Sequence, residues 1–487
     1  MGCKSCCEAC CKCTLASFLV LSLVVVSFVN KEIEIAYIRS VSNGLIGLPI
    51  PRQLLLMIPA LRHVIDDGPL FFVPLHNPLY ASAPDYHSDP GIMPLATPFQ
   101  KGYLFDRVSH ASAKKATYNP STKRDPEWFV AVNTSTLPEG YFAPGVTPLI
   151  ISLDTDHPDR MAARDLITAV MPAISEHPKQ VPPFKALPSI TAPALSSAVA
   201  WSNWLPMWGG KMVHPMLVEL FAFTFFRHAF EVELTTDDIS HLNEWTTVFL
   251  SSLAGMSSKA GGARAAELAK MFEDKVAAGD FGKRLFEEAK RRDLDGVVHL
   301  RKILFGFVFA GFGGNGPGCA LATYRMLKLI EEDPKERVPL FRKDPMAFAW
   351  ESLRIKGGGG SGMNPFIVSE NATYVINGQT FFEQEGSQGG TIMIFANHDP
   401  EIFGGLGKTK DDKDAYARAF IPGRENSDRI LNFLAEPRDI RKCPNMTGCE
   451  HAPRFCLGTF MCPRLMVQIG TWYVEGRDEG TGKGAEL

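Results

Sequence analysis

An excess of charge of either sign is missing from this chain. Its 50 Lys and Arg stand against 53 Asp and Glu, leaving a net charge of −3 over 487 residues, and no basic stripe interrupts it. No nucleic-acid partner is therefore expected, because such a partner needs a positive footprint. Tyrosine is scarce beside phenylalanine, 10 against 33. That ratio suits either an apolar pocket with little polar decoration or an ordinary aromatic core. A spread-out disulfide framework is also lacking, since six of the 11 cysteines fall at Cys3, Cys6, Cys7, Cys10, Cys11 and Cys13. This tail has no second Cys/His pair at zinc spacing. Acylation beside a membrane segment suits it better, although Cys6 stands where a myristoylation motif wants Ser or Thr.

Long apolar runs are almost absent. Thr14 to Val29 is one, 16 residues without a charge, just short of the roughly 17 to 25 that a spanning helix needs. No small-residue cleavage site follows it, and Lys4, Lys12, Glu8, Lys31 and Glu32 balance too closely to set an orientation. It reads as an N-terminal anchor to the endoplasmic reticulum or another internal membrane, with a cleaved signal as the alternative. Residues 1–29 are then tail and anchor. Residues 30–52 form a hinge, marked by Gly and Pro at positions 44–51 that discourage helix. From residue 53 to 487 no linker long enough to divide the chain is found, and a single large domain is expected.

What is present is helical periodicity. Met216–Phe230, Ala263–Ala278, Phe281–Arg292 and Ala320–Glu332 carry apolar residues at three-to-four spacing. Strand-like pieces are short, at Ala372–Ile376 and Thr391–Ala396, and a Pro-rich surface loop is expected over 182–193. The fold class expected is mainly α with a minor β-sheet. Near the C-terminus four weak motifs occur in order. Ile303-Leu-Phe-Gly-Phe-Val-Phe-Ala-Gly-Phe-Gly-Gly314 is a helix-like apolar run. Glu351-Ser-Leu-Arg354 places an acid and a base on adjacent turns of one helix face. Phe420-Ile-Pro-Gly-Arg424 follows, then Arg454-Phe-Cys456-Leu-Gly458. Glu-x-x-Arg alone says nothing, as it recurs at Glu288 and Arg291. The central run carries Gly311, Gly313, Gly314, Gly316, Gly318 and Pro317, at about 1 kcal/mol per Gly and 3 for Pro. A break, or a close backbone approach to a cofactor, is implied there.

In order and interval these motifs resemble the cytochrome P-450 superfamily, whose members hold haem iron on a cysteine thiolate. The resemblance runs in patches from Leu153 to Ile469 and implies the cytochrome P-450 fold with haem b as cofactor. It makes Cys456 the iron ligand, with Arg454 pairing a haem propionate and Gly458 allowing close approach to the ring. The family's Phe-x-x-Gly-x-Arg-x-Cys-x-Gly is incomplete, since Cys449 and Ala452 occupy its Phe and Gly positions. A rival register puts the ligand at Cys462, keeping Phe455 and Gly458 but placing Phe460 and Arg464 at the Arg and final Gly. Glu351, Arg354 and Arg424 would brace the fold beneath the haem. Ala396-Asn-His-Asp-Pro-Glu-Ile-Phe403 resembles the lead-in to that third member, with His398 for the usual Arg. Arg160 and Arg164, four apart, resemble the pair that meets the propionates.

Oxygen-activating members place an acid and an alcohol in the central helix, where this chain has Gly313 and Gly314. Ala310-Gly-Phe-Gly-Gly314 instead resembles the Asn-Ala-Phe-Gly-Gly of the allene oxide synthase and hydroperoxide lyase branch. The branch's catalytic Asn falls on Ala310, and Asn315 is the nearest carboxamide that could replace it. The resemblance thus implies a small apolar substrate, best taken as a fatty-acid hydroperoxide rearranged without dioxygen or reductase. Phe221, Phe223, Phe225, Phe226 and Phe230 are pocket candidates, with core the commoner fate of such a stripe. A reductase-dependent monooxygenase, which alone would need a redox partner, is the alternative. An inert haem-binding or sensor protein is a further one.

Overall fold

The computed structural model describes residues 153–171, 184–201, 215–253, 259–312, 318–356, 396–443 and 451–480, with 408 and 453 excepted, together with His110, Lys114, Ile150 and seven short strands. Fourteen helices fall in these ranges. Helix α1 (Pro158–Val170) starts on Pro158, and the His157 side chain accepts from the Asp159 N–H as its cap. Proline is tolerated there because its missing N–H has no intrahelical partner anyway. Helices α2 (Ala192–Trp201), α3 (Pro215–Phe230), α4 (Thr236–Leu253), α5 (Lys259–Ala278) and α6 (Asp280–Arg291) follow. Next come α7 (Gly296–Phe312), α8 (Gly318–Glu332), α9 (Pro334–Lys343) and α10 (Pro345–Lys356). Short α11 (Pro400–Phe403), α12 (Lys410–Arg418) and α13 (Pro437–Ile440) precede the long α14 (Gly458–Gly480).

The four segments expected from periodicity are α3, α5, α6 and α8, each beginning one to four residues early. Of the central apolar run, Ile303–Phe312 lies in α7, and α8 is described from Gly318. Residues 313–317, with Gly314 and Asn315, lie outside the described set.

Strands β1 (Ile92–Ala96), β2 (Tyr103–Arg107), β3 (Thr122–Arg124), β4 (Phe366–Val368) and β7 (Gln388–Thr391) form a sheet in the order β1-β2-β7-β4-β3. The β2–β7 pair is parallel, with Leu104 opposite Gln388, and the others are antiparallel. Strands β5 (Ala372–Ile376) and β6 (Gln379–Glu383) make a separate antiparallel pair. Of the strand expected at Thr391–Ala396, Thr391 is the last residue of β7 and Ala396 is helical, while residues 392–395 lie outside the described set. Gly389 and Gly390 inside β7 hide it from any pattern of apolar side chains.

One buried cluster runs through the helices, and the phenylalanine stripe is part of it. Phe221, Phe225, Phe226 and Phe230 are 0–2% exposed. Phe226 lies 5.5 Å from Phe272, Phe230 lies 5.3 Å from Phe281, and Trp245 stacks on Phe272 at 5.7 Å. These rings belong to the core. Among the described residues no helix is long and apolar enough to cross a membrane. Thr14 to Val29 falls outside them.

Candidate functional site

The site is built at the start of α14, on three supports. The first is the sulfur. Cys456 ends an extended segment two residues before the helix, and the Gly458 N–H donates to its Sγ at 3.3 Å. Orphan N–H groups and the helix dipole favour negative charge at this position. The Cys456 N–H in turn donates to the Phe433 carbonyl at 2.7 Å, fixing the loop from behind. Burial pushes the Cys456 thiol up, and the Gly458 N–H and the Arg164 charge oppose that. Yet the residue as a whole is only half-buried. Cys462, one turn further along α14, is fully enclosed and could meet a ligand only by displacing its neighbours.

The second support is cationic. Arg160, Arg164 and Arg454 are each only 5% exposed. Arg164 lies over the Phe455 ring at 4.6 Å and donates to the Phe455 carbonyl at 2.9 Å, which fastens α1 to the cysteine loop. Arg160 donates to the Thr155 carbonyl at 2.9 Å, and Arg454 lies 4.0 Å from an Asp154 carboxylate. Burial, then the charges of Arg164 and Arg454, pushes Arg160 down to about 9. Burial likewise lowers Arg164 to about 10, with the nearby Cys456 opposing it. Three guanidiniums in one buried place are costly unless anionic groups meet them.

The third support is the brace. Glu351 Oε2 accepts from Arg354 Nε at 2.9 Å and Glu351 Oε1 from Arg424 Nε at 3.0 Å. Glu351 Oε1 also takes the Ile421 N–H at 2.9 Å. Arg354 donates further to the carbonyls of Asn397, Ala417 and Ala419, and Arg424 to those of Phe403, Tyr416 and Ala419. The ion pairs thus tie α10 to α11, α12 and the segment after them. His398, beside this set, is pushed down to about 3 by burial and then by the charges of Arg354 and Arg418. Of the candidates in the central helix, only the Ala310 backbone, in α7, is described.

Sequence reasoning missed the residues that carry the loop. Phe433 and Leu434 both have positive φ, 52° and 62°, which costs about 1–2 kcal/mol per residue. Asn397 holds that turn in place, donating to the Leu431 carbonyl at 3.0 Å and accepting the Leu431 N–H at 2.7 Å. No local pattern announces a left-handed Phe-Leu pair.

The residues fit haem. The thiol sits at a helix start, the cations suit two propionates, and a Cβ at Gly458 would lie 3.4 Å from Cys456 Sγ, in the space beside the sulfur that a ring would occupy. Among the described residues no group of three His, Cys, Asp or Glu side chains could hold a metal ion.

No protein-family model and no curated protein matches the chain. Solved structures do. The mixed-function cytochrome P-450 MycG, in complex with mycinamicin V, is 15% identical, with a TM-score of 0.51 over 84% of this chain and 90% of its own. SgvP, involved in the tailoring step of griseoviridin, is 14% identical, with a TM-score of 0.51 over 84% and 90%. The chain has the cytochrome P-450 fold.

Proposed function

We propose that the chain is a haem-thiolate oxidoreductase of the cytochrome P-450 type, with Cys456 as the iron ligand. The observation that carries this reading is a half-buried cysteine just before a helix start, with the buried Arg164 charge acting on it and Arg160 and Arg454 buried close to Arg164. Cys456 binds as the thiolate, and the Gly458 N–H and the Arg164 charge stabilise its negative form. Arg160, Arg164 and Arg454 take the propionates. Arg164 couples the two halves of the site, because it reaches both α1 and the cysteine loop. Glu351, Arg354 and Arg424 hold the chain beneath, and the aromatic core keeps water out. When bound there, haem supplies one-electron chemistry and O–O cleavage, promoted by electron donation from the thiolate.

The substrate best supported is a small apolar lipid, and the reaction a rearrangement or cleavage of its hydroperoxide without dioxygen or reductase. Support comes from Gly313 and Gly314, which leave the central helix no side chain to deliver protons to dioxygen. Asn315 is the carboxamide that would position the peroxide. A reductase-dependent monooxygenase is the second reading, favoured by the likeness to MycG, a mixed-function protein. Anchoring to an internal membrane through Thr14–Val29 is part of the proposal.

One experiment separates these readings. The haem-loaded protein is mixed anaerobically with a fatty-acid hydroperoxide, with reductase omitted, while peroxide loss and the haem absorption band are followed. Catalytic peroxide loss is expected, abolished in Cys456→Ser along with the thiolate-type band, whereas Cys462→Ser keeps both. A thiolate band without peroxide loss transfers the case to the monooxygenase. Absence of any thiolate band in the unaltered protein sinks both.

A further inference from the structure

Two thiols that the proposed chemistry does not use lie side by side next to Cys456. Cys319 is the second residue of α8 and Cys462 the fifth of α14, and these helices pack against each other. Cys462 is fully buried and Cys319 is 7% exposed. Neither is in a disulfide, and their side chains are in hydrogen-bond contact. Cys456 is near enough to both for their charges to interact, so three reduced sulfurs share one region of the core. Cysteine is at home in a core as a small hydrophobe. Two in contact from different helices, however, are candidates for an S–S bond, which holds Cβ atoms about 3.5–4.5 Å apart in finished bridges. The place matters as well, because α8 begins immediately after the glycine- and proline-rich residues 313–317.

We propose that Cys319 and Cys462 are a dithiol site that closes to a disulfide under a peroxide, fastening the first turn of α8 to α14. Cys319, which keeps some surface, reacts first. Its sulfur takes one peroxide oxygen as the O–O bond breaks, giving a sulfenic acid, and the rest of the peroxide leaves as an alcohol, or as water when the oxidant is hydrogen peroxide. The Cys462 sulfur then attacks the Cys319 sulfur. The S–S bond forms, the S–O bond breaks, and the oxygen departs as water with the thiol proton. Two thiols and one peroxide thus yield one disulfide, one alcohol and one water. None of this requires iron on Cys456.

The test uses the full-length protein, haem-loaded and haem-free, exposed to hydrogen peroxide, alkylated, and mapped as peptides without reduction. A cross-linked peptide pair joining Cys319 to Cys462 is expected, reversed by dithiothreitol and absent from Cys319→Ala and Cys319→Ser. The thermal midpoint should rise on oxidation in the unaltered protein and stay fixed in both variants, with circular dichroism checking that each is folded. Complete alkylation of Cys319 and Cys462 after peroxide overturns the proposal. So does a cross-link from either one to Cys456 in place of the other.

Discussion

At the scale of single residues, the buried brace concentrates most of the consequence. Glu351 is 1% exposed and accepts from two guanidiniums and a backbone N–H. Removing one partner leaves an uncompensated buried charge, which costs about 3–5 kcal/mol. Arg424→Ala is expected to fall in that range, with a lowered urea midpoint at an unchanged slope. Arg424→Lys should recover little, because a single ammonium cannot reach Glu351 together with the Phe403, Tyr416 and Ala419 carbonyls. An Arg424→Ala protein as stable as the parent would show that this network is decoration. Glu351, Arg354, Arg424 and Cys456 were legible in the sequence because each motif fixes residue types at fixed offsets. The roles of Asn397 and Phe433 were not, since an Asn holding a turn 34 residues away has no local signature.

At the scale of elements, α14 decides how closely the helices approach. A Cβ at Gly470 would come 2.7 Å from the Phe341 ring and 2.8 Å from the Met326 methyl. Glycine lets α14 lie against α8 and α9 there. Gly470→Ala is expected to destabilise by about 1–3 kcal/mol, the ordinary cost of overfilling a packed core, against the small gain that Ala brings to a helix interior. Thermal unfolding followed by circular dichroism checks this, and a raised midpoint would contradict the packing described. The apolar spacing of α3, α5, α6 and α8 announced these elements. Strand β7 escaped notice because its partners β2 and β4, not its own side chains, make it a strand.

At the scale of the whole molecule, remote segments are held by charge. Glu436 is fully buried, 3.1 Å from His110 Nε2 and 2.9 Å from Lys114 Nζ. Burial alone would raise its carboxyl, but the adjacent His110, the hydrogen bond from Lys114 and Arg438 carry it down to about 2 from 4.5. A carboxyl depressed in the folded state contributes stability that is present above about pH 4.5 and lost as pH falls toward 2. The contribution is on the order of 3 kcal/mol. Glu436→Gln should therefore be less stable at neutral pH and lose less between those two pH values. Parallel acid limbs in the two proteins would refute this assignment.

The sequence by itself determined the helical class, the order of the site motifs and the residue types that could hold haem, because periodicity and fixed offsets are properties of a chain read in one dimension. It favoured Cys456 over Cys462 through the resemblance, and it named the phenylalanine stripe as pocket candidates with core the commoner fate. Only the tertiary structure decided how deeply each is enclosed. Cys456 is half-buried and Cys462 fully buried, and the phenylalanines pack into the core. Both depend on neighbours brought from α1, α5 and α8, far away in sequence and close in space.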